Sequence, residues 1–65
     1  MQLTKPEVLV LAQAVALGEV SYHYLSPEFR EARELVSKGM LTELFDKADF
    51  THFEATAKAN ERFLG

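Results

Sequence analysis

Between Val8 and Leu17 the apolar residues follow a helical spacing on two opposite faces. Val8, Leu11, Ala12 and Val15 fall at i, i+3, i+4 and i+7, and Val10, Gln13, Ala14 and Leu17 repeat that spacing on the other side. Thr4-Lys5-Pro6-Glu7 fits the capping box that opens such a helix, with Pro6 in the first turn, where a missing N–H costs nothing. Gly18 is a natural stop, because glycine accepts the left-handed conformation that closes many helices. A helix apolar nearly all round is normally buried on all sides. Two further helices and a hairpin can hardly cover it, so Val10, Ala14 and Leu17 are expected to form a self-association seam between two copies of the chain.

Val20 to Leu25 reads as a connector with an aromatic centre, Tyr22-His23-Tyr24. A second helix then opens with Ser26 as N-cap and Pro27 at its first position. Phe29, Ala32, Leu35 and Val36 form its apolar stripe, and Gly39 ends it. Glu34 and Lys38 stand in the favourable i, i+4 order outside that stripe.

Residues 40–55 support two readings. Met40 to Phe45 and Phe50 to Ala55 make two strands around a turn at Asp46-Lys47-Ala48-Asp49, since Phe and Thr favour strands and Asp favours turns. Alternatively Thr42 to Ala48 is a short helix, and Thr51-His52-Phe53-Glu54 caps a long helix reaching Leu64. Local propensity leans to the helical version.

The run Glu34-Leu35-Val36-Ser37-Lys38-Gly39-Met40-Leu41-Thr42-Glu43 resembles the end of the recognition helix and the start of the wing in winged-helix regulators of the MarR and PadR type. Phe53-Glu54-Ala55-Thr56-Ala57-Lys58-Ala59 resembles the second wing strand running into the capped helix that follows, with Ala59 where that pattern usually has Gly. The resemblance covers residues 34–64 and implies a hairpin followed by a helix opening at Thr56. Upstream the chain departs from it: Gly18 to Ser26 leaves no room for the separate second helix of a full helix-turn-helix. The fold expected from both arguments is one helix-rich α+β domain over residues 1–65, three helices with a two-stranded hairpin. The alternative is an all-α bundle of three to four helices.

Charge changes the functional picture. The chain carries 7 Lys and Arg against 10 Asp and Glu, a net charge of −3. Residues 40–55 account for it, with Glu43, Asp46, Asp49 and Glu54 against Lys47. Nucleic acid binding rests on Lys and Arg neutralising phosphates, and a wing bearing those acids would be repelled by the backbone it should lie along.

With 65 residues and no Cys, the chain has neither disulfides nor a ligand cluster for a structural metal, so its core supplies only ~3–5 kcal/mol of net stability unless a partner adds to it. The run from Val8 to Leu17 is about half the ~20 residues a spanning helix needs, and no export signal precedes it, so the chain reads as cytoplasmic. His52 and Glu54 form an H-x-E pair but lack the Cys pair of a zinc deaminase. No serine has a nucleophile-elbow setting, and Gly18, Gly39 and Gly65 are isolated, so no phosphate cradle, catalytic residue or cofactor is expected.

Two features remain as contact candidates. Tyr22, His23 and Tyr24 can stack on bases or anchor a protein, or a Tyr can plug the core edge. Arg30, Arg33 and Lys38 on the second helix can reach phosphates or guanine edges, or can form a solvated face neutralised by Glu28, Glu31 and Glu34. The expected function is a small non-enzymatic regulatory or adaptor module, of the kind found among short phage genes, acting by protein–protein contact as a homodimer. The alternative is a winged-helix transcription regulator that binds DNA.

Overall fold

The computed structural model describes residues 3–64, with side chains described as far as Arg62. The element order is α1 (Lys5–Leu17), β1 (Glu19–His23), α2 (Pro27–Ser37), β2 (Leu41–Lys47), β3 (Phe50–Ala55) and α3 (Ala57–Leu64). The strands form one antiparallel sheet in the order β1-β3-β2. The fold is therefore α+β with three helices, as expected, but its sheet has three strands instead of two, and the all-helical alternative does not hold.

The extra strand is the segment read as a connector. Gly18, at φ +87°, turns the chain sharply out of α1 while its N–H still donates to the Ala14 carbonyl at 2.8 Å. Val20 and Tyr22 then face the core while Glu19, Ser21 and His23 face outward, the period of two that defines a strand. Five residues were too short a run to announce this against the helical patterns on either side.

The capping box at Thr4 and the glycine stop at Gly39 exist as foreseen, and the side-chain cap expected of Ser26 does not. Thr4 Oγ1 accepts from the Glu7 N–H, and Glu7 Oε1 accepts from the Thr4 N–H at 2.8 Å. At the end of α2 the Gly39 N–H donates to the Val36 carbonyl and the Met40 N–H to that of Leu35, the paired bonds of a Schellman motif with Gly39 at φ +78°. Ser26 precedes α2, but its hydroxyl donates to the His23 carbonyl at 2.8 Å and caps no helix N–H.

The core lies between the helices and one face of the sheet. Leu11, Leu35 and Phe53 are its largest fully buried side chains, closed in by Val10, Ala14, Val20, Ala32, Met40, Leu41 and Ala59. One charged pair joins it: Lys38 Nζ donates to Glu7 Oε1 at 2.8 Å and Oε2 at 2.9 Å, with Glu7 only 2% exposed. This clasp binds the start of α1 to the end of α2. Lys38 is thus engaged with an acid far away in sequence, not with Glu34 one turn back. The Glu7 carboxyl titrates below its ordinary range because of the Lys38 hydrogen bonds and the Thr4 N–H, against the opposing effect of burial.

Candidate functional site

The outer face of the sheet turns away from the helices, and the strand register lays it out in rows. Directly opposite residues share a face. His23, Phe50 and Lys47 make one row, Ser21, His52 and Phe45 the next, and Glu19, Glu54 and Thr42 the third. Leu44 is the extra residue of a bulge between Glu43 and Phe45, and it is exposed.

The first two rows are aromatic. His23 stacks on Tyr24 with centroids 4.8 Å apart and meets Phe50 edge-on at 5.2 Å. Phe45 stacks on His52 at 4.3 Å, and His52 Nδ1 lies 3.0 Å from Glu19 Oε2. Phe45, Phe50 and Tyr24 remain exposed despite these contacts. His23 Nδ1 accepts from the Leu25 N–H at 3.1 Å, so the neutral ring carries its proton on Nε2. The Tyr24 N–H donates to the Asp49 carbonyl at 3.1 Å, which ties this patch to the hairpin turn.

That turn is a two-residue loop, Ala48-Asp49, with both residues at positive φ (50° and 67°), the signature of a type I′ hairpin. Neither residue is glycine. Holding Ala in the left-handed region costs about 1–2 kcal/mol.

The residues singled out from sequence separate into three groups. Tyr22 points inward, half-buried, with its ring 6.3 Å from Phe53 and its hydroxyl donating to Gln13 Oε1 at 3.0 Å. It plugs the core edge, and burial together with Glu28 raises its pKa. His23 and Tyr24 belong to the aromatic face. Tyr24, Arg30 and Arg33 border an open hollow of about 660 Å³ beneath the start of α2.

The cations of α2 do not form a set. Arg33 Nη1 lies 3.2 Å from Glu43 Oε1, and its guanidinium sits over the Phe29 ring at 5.7 Å. Lys38 is held by Glu7 at the other end of the helix, so it is withdrawn from the contact set expected of it. Arg30 is exposed and has no ion pair among the described residues.

The proposed seam is corrected more sharply. Val10 and Ala14 are 4% and 0% exposed within a single chain, while Leu17 is 73% exposed. The three do not share a surface, and two of them already pack in the core. The face of α1 that reaches solvent is Leu9, Gln13 and Leu17, with Leu9 69% exposed. Periodicity could not choose between the faces because apolar residues ring the helix.

His52 and Glu54 lie side by side on the open face, but among the described residues no group of three metal-ligating side chains is assembled. No helix among the described residues is long and apolar enough to cross a membrane. No protein-family model, curated protein or solved structure matches this chain.

Proposed function

We propose that this chain is a non-enzymatic protein-interaction module of regulatory or adaptor type, and that its contact surface is the outer face of the sheet. The aromatic rows carry the reading. Phe45, Phe50 and Tyr24 are exposed; Tyr24 and Phe50 meet the His23 ring, Phe45 stacks on His52, and the two groups occupy adjacent rows at the hairpin end of the sheet, with Tyr24 in the turn just after β1. Such patches mark binding sites, and aromatic side chains supply much of the energy at protein interfaces. The strand ladder fixes the backbone beneath Phe45 and Phe50, and their contacts with the His52 and His23 rings limit side-chain freedom before any partner arrives, so less is lost on contact.

A second reading, DNA binding by a winged-helix regulator, draws support from the order of elements after Ser26: a helix closed by Gly39, a hairpin, and a helix opened by Thr56. Charge opposes it. Arg33 is neutralised by Glu43 of the hairpin itself, Lys38 by Glu7, and the hairpin also carries Asp46 and Asp49. On α2 that leaves Arg30 as the arginine without an ion pair among the described residues, a weak counter to a polyanion whose affinity grows with each phosphate neutralised.

Fluorescence anisotropy of labelled random duplex DNA at moderate salt separates the readings. The expected result is no binding. Tight binding with a steep salt dependence, lost in Arg30→Ala, would overturn the protein-interaction reading in favour of DNA.

A further inference from the structure

On the opposite side of the molecule, α1 and the first turns of α2 frame a groove of about 520 Å³. Its lining is largely apolar, from Pro6, Leu9, Val10, Ala12 and Pro27, and Gln13 also borders it. Along the α2 wall stand Glu28 and Glu31, and among the described residues no basic side chain lines the groove. Glu28 lies in the first turn of α2, where the helix dipole favours an acid. Glu31 lies beyond that turn and is half-buried, and neither acid has an ion pair among the described residues.

We propose that this groove receives an amphipathic helix of a partner protein, with bulky apolar residues one turn apart and Lys or Arg along one flank. The apolar floor takes the anchors, as grooves that bind helices do. The flank follows from Glu31. Covering a half-buried carboxylate removes its water, so an occupant must bring a compensating cation. A second copy of this chain is a poor occupant. Two-fold pairing through the exposed Leu9, Gln13 and Leu17 face would bring Glu28 and Glu31 of both copies near one axis, with only Lys5 on that helix to offset them.

The probe is a synthetic helical peptide with leucines on one face and lysines on both flanks, compared with a version carrying glutamate in place of every lysine. Amide shifts recorded during titration should move at Leu9, Ala12, Gln13 and Glu31 and stay still on the outer face of the sheet. Leu9→Glu changes a solvent-facing side chain, so the fold survives (checked by circular dichroism) and affinity falls at least roughly 10-fold, a typical loss for a central anchor. The Glu28→Gln/Glu31→Gln pair should weaken binding roughly 3- to 10-fold and flatten its salt dependence. The acidic peptide should not bind. Absence of binding by the basic peptide, equal binding by the acidic one, or unchanged affinity in Leu9→Glu overturns the proposal. So does a dimer seen by sedimentation that Leu9→Glu dissociates, which makes a second copy the occupant. The sheet-face reading stands or falls separately, because none of these variants touches that face.

Discussion

The two ends of the β2–β3 hairpin are built from opposite materials. At its base, Leu41 and Met40 are buried, and the Thr56 hydroxyl donates to the Gly39 and Met40 carbonyls at 2.8 and 3.1 Å while accepting from the Ala59 N–H at 3.2 Å. Within the same junction, Lys38 leaves α2 to reach Glu7. At the tip, every residue from Thr42 to Phe50 is exposed, two non-glycine residues hold positive φ, and the rings stack on one another instead of entering the core. The base commits its polar groups to folding. The tip carries strain and exposed aromatic surface that folding alone does not require.

The contrast breaks most severely at the ionic clasp. Lys38→Met strands the Glu7 carboxylate in the core, and removing one partner of a buried pair costs about 3–5 kcal/mol. That approaches the whole stability expected of a domain this small, so chemical denaturation should find the variant largely unfolded at room temperature. A well-folded Lys38→Met protein would show that the clasp is not structural.

Acid titration sharpens the same point. The Glu7 pKa is lower in the folded state than its ordinary 4.5. Its contribution is therefore fully present above that value and disappears as pH falls through the folded pKa. Unfolding curves from pH 6 down to pH 2 should show this loss in the wild-type protein and a smaller one in Glu7→Gln, which keeps the capping-box geometry without the charge.

At the base, Thr56→Val preserves shape but deletes the cap of α3 and the bonds to the α2–β2 junction. The expected loss is about 1–2 kcal/mol, read from the denaturation midpoint. At the tip the sign reverses. Ala48→Asn relieves the left-handed alanine and should stabilise by about 0.5–1 kcal/mol. A loss there would mean that the turn is not the two-residue loop described.

Much of the base was legible in the chain. The Thr4–Glu7 box, Pro27, Gly39 and the Thr56 cap on the Ala59 N–H each act within a few residues of themselves, so local chemistry identifies them, whereas the Thr56 bonds back to Gly39 and Met40 are tertiary. What stayed hidden depends on tertiary contact. Lys38 has an acid one turn back that satisfies a local rule, yet its partner lies 31 residues away. The face of α1 that turns inward depends on where α2 and the sheet lie, and an all-round apolar pattern gives no direction. The outer-face rows exist only once the register pairs His23 with Phe50 and Phe45 with His52. Arg33 looked available to a ligand because Glu43, which neutralises it, arrives from the next strand.

The central claim is that the tip's aromatic face meets a protein. A photoactivatable amino acid substituted at Phe50 tests it in living cells, with the same probe at the exposed Arg62 of α3 as control. A discrete protein adduct is expected from position 50, lost when Phe45 is also changed to Ser, and none from position 62. A nucleic acid adduct from position 50, or identical adducts from both positions, would contradict it.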